Sequence, residues 1–565
     1  MRLRDYQRDC NTRTVEALEA HGSALVVMPT GTGKTVTFAD LINSRSDKGR
    51  TLIMAHRDEL IRQAVNKIRL VTGEEPIVEM AEQRADDAHG VVNWIEGFDP
   101  YDHNVRKPRF VVTSVQTQNA PLKNGGRRME RLNPDEFGTI IIDEAHHATA
   151  QSYRRVVEYY LGINPDIKVI GYTATPDRTD ETALGKVFDV VAYDMEIVDA
   201  IELGWLVPIE QHFVEVDELD FSKVRTTAGD LNQRDLAAVM EYEEILHEVA
   251  VPSREIAKGR QTLIFAASVH QAKRLCEILN RYEPDSARFV YQHTPKLDRR
   301  QIIMDYKHGQ FQFLVNCMIA TEGFDCPGVE VIVMARPTKS RSLYAQMAGR
   351  ATRPADQIVD ALGACEKPES RRELIAASRK PKMTIIDFVG NSGRHKLVCT
   401  AEILGGRYED DVIQRAVEIA KEADGPVNMQ LILPQAQQQI EEEEEARRKK
   451  IKGTAKYRTS KISPFSLFNL RPRREREWNR NKPATDKMTG FLRRAGVEDV
   501  DQMTFAECST VIGELMDRRE KNLCSFKQGK VLNRFGYDPK EVTFTKAGEL
   551  ITAIAANDWT RPKEG

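Results

Sequence analysis

The chain has 565 residues, 41% hydrophobic and 30% charged, with a formal net charge of -3; at roughly 150 residues per core it holds about three or four domains. No apolar run approaches the roughly 18 residues of a membrane helix, and the N-terminal MRLRDYQRDC lacks the apolar core of a secretory signal, so the chain reads as cytosolic with no membrane partner. Eight cysteines are scattered singly, without a C-x-x-C pair, which gives no sign of a disulfide framework or zinc site, and the near-neutral charge leaves any nucleic-acid binding to local patches.

Short β-branched runs, SALVVM from Ser23, RTLIMA from Arg50, RFVVTS from Arg109, TIIIDE from Thr139 and KVIGYTAT from Lys168, recur between helical segments. That alternation predicts a parallel sheet with crossover helices. A second series, QTLIFAA, ARFVY, FQFLVNC, VEVIVMA and MTIIDF, ends near Phe388. The simplest reading is two tandem α/β domains, residues 1–205 and 261–400, joined by a connecting segment 206–260 with a helix from Glu241 to Val251.

Within the first series, LVVMPTGTGKTVTFADLI places Pro29, Thr30, Gly31, Thr32, Gly33, Lys34 and Thr35 on a strand-to-helix turn. Glycines allow the backbone to approach phosphate oxygens, and a helix N-terminus favours anions. Lys34 is placed to bridge the outer phosphates and Thr35 to hold Mg²⁺. Met28 stands where the strict phosphate-loop pattern has glycine, a position on the strand side of the turn. Further on, Asp143 and Glu144 emerge from the run Ile140, Ile141, Ile142 at the carboxyl end of a buried strand, where ligands collect in such sheets. Asp143 suits orientation of Mg²⁺, and Glu144 suits positioning and deprotonation of an attacking water.

Beyond Gly390 the texture changes. Residues 401–482 form a charged extension: QAQQQIEEEEEARRKK reads as a solvated helix or linker, and RPRREREWNRNKP is a basic stretch around Trp478. Residues 483–565 contain an internal repeat, KMTGFLRRAG from Lys487 matching KQGKVLNRFG from Lys527, with Thr504-Phe505 matching Thr543-Phe544. Each unit predicts a helix ended by glycine and a second helix capped by threonine. The pair forms a small helical domain suited to a structural or partner-docking role.

Taken together, MPTGTGKT, DEAHH, YTATPDR, TEGFDCPG and QMAGRATRP, in that order, resemble the motor motifs of superfamily 2 helicases and translocases of the DEAH type over roughly residues 1–390. The likeness is strongest to the RadD, XPB-type and restriction-motor group, although RadD-like proteins carry a cysteine-rich zinc element that this chain lacks. The resemblance implies two tandem RecA-like domains with parallel sheets, ATP and Mg²⁺ as cofactors, and DNA, single-stranded, forked or branched, as partner.

It also implies roles residue by residue. LRDYQRD is similar to the adenine-reading segment, with Arg4 and Tyr6 stacking on the base and Gln7 reading it through both faces of its amide. Gln346, Arg350 and Arg353, spaced i, i+4 and i+7, are expected on one helix face that reaches across the cleft. Gly323 and Asp325 fall at the nucleotide-sensing loop. Strand contacts are expected at His56, Arg57, Thr113, Ser114, Gln116, Thr117, Ser268, His270, Thr321 and Glu322, and coupling to Glu144 at His146, Thr173 and Thr175. Three other functions stay open: an RNA helicase, the motor subunit of a restriction or defence assembly, and a nucleotide-switched DNA-binding adaptor.

Overall fold

The computed structural model describes residues 3–56, 58–79, 108–122, 125–174, 183–227, 229–317, 319, 324, 326–391, 397–406, 408–423, 425–452, 463–468, 470, 483–557 and 559. The chain divides into two compact units, one holding residues 1–404 and 420–430, the other 405–419 and 431–565.

The first unit contains two parallel sheets. Its N-terminal lobe opens with helix α1 (Asp5–Ala20) and then β1 (Ser23–Val27), helix α2 (Lys34–Ser44) and β2 (Arg50–Ala55). The sheet is completed by β3 (Ile77–Glu79), β4 (Phe110–Ser114), β5 (Phe137–Asp143), β6 (Lys168–Thr173) and β7 (Val190–Asp194), in the order β3-β4-β2-β5-β6-β1-β7. All the pairings are parallel. The central strands are buried almost throughout, as continuous Val and Ile runs require when helices cover both faces of a sheet. This order sets the carboxyl end of β6 between those of β1 and β5, so Thr173 stands between the glycine-rich turn and Asp143.

The C-terminal lobe has β8 (Ile209–Asp220), a two-residue hairpin of β9 (Thr226–Thr227) and β10 (Asp230–Leu231), then β11 (Thr262–Phe265), β12 (Ala287–Val290), β13 (Phe313–Asn316), β14 (Val331–Met334) and β15 (Met383–Asn391). Its sheet runs β12-β13-β11-β14-β15-β8, again parallel. Segment 206–260, expected as a connection, therefore enters the sheet as its edge strand and continues into the helices Gln233–Met240 and Glu243–Ala257. Its apolar side chains Phe221, Val224, Leu231 and Leu246 are buried in the same core as Ile264 and Val333, which draws the segment into the lobe. Both lobes are RecA-like in architecture.

In the second unit the long helix Met429–Lys452 carries the acidic-then-basic run, with Arg415 paired to Glu443 at its surface. The two repeats fold alike. Helices Asp486–Ala495 and Phe526–Arg534 are each followed by a threonine-capped helix, Phe505–Glu520 and Phe544–Ala556. Equivalent antiparallel bridges, Pro483 with Thr504 and Leu523 with Thr543, close both. The core differs from a simple shared pair, since Leu467 and Phe468 of the preceding helix Pro464–Phe468 fill it alongside Leu492, Val511 and Phe526. Arg518 joins the repeats by donating to the carbonyls of Cys524 and Pro539 at 2.9 and 2.8 Å. No helix among the described residues is long and apolar enough to cross a membrane.

One buried acid ties the second sheet to the helix Arg341–Ala348. Asp387 on β15 accepts from the Tyr344 hydroxyl at 2.6 Å and from the Gln211 amide. Burial pushes its carboxyl up to about 7 from 3.8, against the opposing pull of those two hydrogen bonds. The folded chain then binds the proton more tightly than the unfolded one, so the stability contributed by Asp387 is full below about pH 4 and is lost as pH rises through about 7. Thermal unfolding midpoints of wild type and Asp387→Asn are expected to diverge from pH 5 to pH 8, the variant gaining on wild type as pH rises; parallel curves would remove Asp387 from the pH response.

Candidate functional site

The glycine-rich turn begins where β1 ends. Met28 is fully buried and its N–H donates to the Thr173 carbonyl at 2.9 Å, so this position continues the sheet and needs no glycine. Gly31 and Gly33 make the turn, at φ +88° and +85°, values that cost a residue with a Cβ roughly 1–2 kcal/mol. A side chain at Gly33 would also strike Gln7 Nε2, 2.7 Å from the added carbon. The Thr32 hydroxyl donates to the Pro29 carbonyl at 2.7 Å and closes the loop. α2 starts immediately afterwards, bringing the positive end of its dipole to the turn.

Lys34 and Glu144 face each other inside the cleft. Lys34 Nζ lies 3.7 Å from Glu144 Oε1, with the side chains only 10% and 8% exposed, and the ammonium makes no hydrogen bond to the described residues. A buried cation left in this state is costly, and phosphate oxygens are the chemistry that would satisfy it. Glu144 itself sits at φ 51°, ψ 55°, a left-handed conformation for a residue with a side chain. Strain of this kind, of order 1–3 kcal/mol, persists where the surroundings fix the residue. Its N–H donates to Asp143 Oδ1 at 3.0 Å, which orients both carboxylates. His146 Nδ1 is 3.5 Å from Glu144 Oε2 and 3.3 Å from Thr173 Oγ1, so it spans the Glu144 carboxylate and the end of β6. The His147 ring then packs between those of His146 and His56, at 4.1 and 4.5 Å.

The second lobe reaches this loop directly. The helix Arg341–Ala348 stops at Gly349, so Arg350 and Arg353 lie on the turn beyond it, not on one helical face with Gln346. Pro354 disfavours helical backbone at Arg353, and Gly349 comes so near the phosphate loop that a Cβ would lie 2.7 Å from Thr30 Cβ. Arg353 packs on the other glycine, its Cγ 3.0 Å from where a Cβ on Gly31 would stand. Arg350 Nη1 donates to the Phe324 carbonyl at 2.8 Å. Buried Lys380, its ammonium pulled down to about 7 by desolvation, donates to the Pro327 carbonyl at 2.9 Å and fixes the far side of that loop. Gln346 is buried and does not line the cleft.

The resulting cleft of about 270 Å³ is lined by the turn from Pro29 to Thr35, by Asp143 and Glu144, and by Arg350 and Arg353 from across the gap. Among the described residues no cluster of three or more His, Cys, Asp or Glu could hold a metal by itself. Thr35 and Asp143 supply two oxygen donors, a number that suits Mg²⁺ arriving with phosphate ligands of its own.

Arg4 and Gln7 also line the cleft, but Tyr6 does not. Tyr6 is 5% exposed and turned inward, its hydroxyl donating to the Thr32 carbonyl at 2.6 Å. Base stacking by Tyr6 is thus replaced by support of the loop. Gln7 divides its amide, the oxygen accepting from Arg4 N–H at 3.0 Å and Nε2 donating to Thr32 O at 3.0 Å.

Of the expected strand contacts, Gln116 and His270 are exposed, and His56, Ser114 and Ser268 are half-buried. Thr113, on β4, and Thr117, on the short helix Val115–Asn119 that follows it, are fully buried, and neither is presented to a strand. Thr113 instead receives Gln118 Nε2 at 3.1 Å. Ser114 and Ser268 cap helices by accepting from the N–H groups of Thr117 and Gln271. Arg57, Thr175, Thr321, Glu322, Gly323, Asp325 and Trp478 lie outside the described residues. Sequence reasoning missed Gly349, whose signal was its place between two candidate residues, and Trp205, which stands apart from every motif.

Comparisons with known proteins agree with this layout. Residues 1–178 match the family described as Type III restriction enzyme, res subunit, and residues 241–355 match the helicase conserved C-terminal domain. IRC3 of Saccharomyces cerevisiae, named for an ATP-dependent helicase activity, is 31% identical over 368 residues, covering 62% of this chain and 49% of its own. The DNA 3'-5' helicase XPB of Mycobacterium tuberculosis is 26% identical over 361 residues, covering 62% and 58%. The chain thus spans about half the length of these relatives. Among solved structures, the ATP-dependent Type ISP restriction-modification enzyme LlaBIII bound to DNA is similar in fold, with a TM-score of 0.51 at 15% identity over 75% of this chain and 31% of that one.

The close approach of Gly349 to Thr30 gives a direct test of lobe contact. Gly349→Ala is expected to push the lobes apart and weaken binding of an ATP analogue at least tenfold in a fluorescence titration. Gly363→Ala, with open space around its added carbon, is expected to leave binding unchanged.

Proposed function

We propose that this chain, whose motor region belongs to superfamily 2 in the group of XPB-type helicases and restriction motors, is a DNA-dependent ATPase that couples hydrolysis to movement along, or unwinding of, single-stranded, forked or branched DNA. The observation that carries the reading is the meeting of Lys34 and Glu144 with Arg350 and Arg353 around one cleft. Lys34 binds the outer phosphates. Glu144, aimed by its backbone and by His146, accepts the proton of the attacking water. Arg350 and Arg353 neutralise charge on the transferring phosphoryl from the second lobe. Thr35 and Asp143 would hold Mg²⁺ with the nucleotide's own phosphates, and the ion would supply charge neutralisation on the phosphates.

Because the two jaws lie on different lobes, nucleotide binding favours closure, and release after hydrolysis favours opening. His56 packs on His147, which packs on His146, so the surface where Ser114 and Gln116 lie is in contact with the general base through three rings. That contact supports stimulation of hydrolysis by a bound strand. A cytosolic setting suits the eight free cysteines, seven of them buried. The match of residues 1–178 to a restriction subunit favours one second reading, a motor working inside a restriction or defence assembly.

Phosphate release is expected to rise several-fold on addition of DNA, and to fall with added salt as phosphate-led binding does. Lys34→Ala and Glu144→Gln are expected to reduce it by at least ~10²-fold, and Arg350→Ala by ~10³-fold or more, the last with DNA affinity retained in a gel-shift assay. Stimulation by RNA and not by DNA would overturn the substrate, and full activity in Glu144→Gln would overturn the chemistry.

A further inference from the structure

The hinge between the lobes contains a tryptophan that none of the motor chemistry uses. Trp205 follows Gly204 in the short span between the helix Ile197–Glu202 and β8, and it is 3% exposed. Its ring is flanked by two guanidinium groups, Arg4 from the first lobe at 4.5 Å from the centroid and Arg371 from the second at 4.3 Å. The Tyr6 ring packs against it at 5.6 Å. Two like charges lie near one indole, whose electron-rich face attracts each of them.

Each partner is fixed from behind. Arg371 belongs to the helix Pro368–Ala376 and donates to the carbonyls of Leu203 and Cys365 at 2.7 and 2.8 Å, so it grips the hinge backbone as well as the ring. Gly204, at φ +71°, has no room for a side chain, since a Cβ would stand 2.6 Å from that of Arg371. On the other side Arg4 Nη1 donates to the Tyr6 hydroxyl at 3.3 Å, and that hydroxyl donates to Thr32 O in the phosphate loop. Arg4 also lines the cleft. Arg4 therefore both lies over the indole and lines the cleft, and a planar guanidinium so placed can stack a second flat ring.

We propose that Trp205 is a positioning residue of the base subsite: it holds Arg4 as the platform on which the purine stacks and, through Arg371, ties that platform to the second lobe. This rests on the ATPase reading and adds to it a residue outside the motifs, together with a route from base to hinge that bypasses the phosphates. The route meets the phosphate loop only through the Tyr6 hydroxyl on Thr32 O, and it reaches the base through Arg4 itself, so base binding depends on it more than triphosphate binding by Lys34 does.

That separation defines the test, isothermal titration of ADP and of inorganic tripolyphosphate into the full chain. Trp205→Ala is expected to weaken ADP roughly tenfold and tripolyphosphate less than twofold, while Trp205→Phe, which keeps an aromatic face, retains most of the ADP affinity. Should Trp205→Ala fail to fold by circular dichroism, Trp205→Leu, large and apolar without a π-face, gives the same comparison. Unchanged ADP binding in the Ala or Leu variant, or equal losses for ADP and tripolyphosphate, overturns the proposal while leaving the ATPase reading in place. A wild-type chain that binds neither ligand overturns both.

Discussion

A buried ammonium that makes no hydrogen bond to the described residues is the constraint around which the first unit is organised. Lys34 is nine-tenths covered and stands 3.7 Å from Glu144, near enough for attraction but too far to share a proton. Two arginines of the other lobe line the same small cleft. Coulomb repulsion among these cations, with Arg4 and Lys67 on the same lining, is offset only in part by Asp143 and Glu144. A polyanion would relieve the imbalance, and it would do so only while the two lobes are together.

Glycine makes that meeting possible at atomic scale. Gly31 and Gly349 belong to different lobes, and each lacks the carbon that would collide with the other lobe's chain, at Arg353 and at Thr30. The same pair of contacts places Arg350 and Arg353 beside the phosphate loop without any long reach. Closure is then a matter of backbone fit, and side-chain charge decides when the fit is favourable. The strained backbone of Glu144 belongs to this economy too: it turns the carboxylate toward Lys34 while its N–H is held by Asp143.

The strands with unbroken Val and Ile runs were legible because burial on both faces leaves no other composition open to them. What escaped were strands with polar or short sequences, β3, β7 and above all β8, whose HFVEVDELD alternates like an edge and is one. In the site, the loop, Asp143 and Glu144 followed from their place at strand ends. The i, i+4, i+7 spacing of Gln346, Arg350 and Arg353 misled, because periodicity cannot register a helix that a close lobe contact terminates at Gly349. Thr113 misled for a related reason, since a hydroxyl near a strand end looks exposed until the covering helices are in place. Trp205 was invisible in principle: its partners Arg4 and Arg371 lie 201 and 166 residues away along the chain.

The edge position of β8 also shortens the hinge. With residues 209–220 paired to β15, the backbone free of either sheet between the helix Ile197–Glu202 and β8 amounts to Leu203 through Pro208. Within it, Leu203 O is held by Arg371, the N–H of Val207 donates to Thr352 O at 2.8 Å, and Gly204 alone has left-handed freedom. A hinge so short and so closely tied cannot act as a slack tether. Gly204 is the residue of this span best able to rotate, and the contacts on either side of Trp205 oppose a relative movement of the lobes. The hinge therefore constrains the lobes by covalent geometry before any charge is considered.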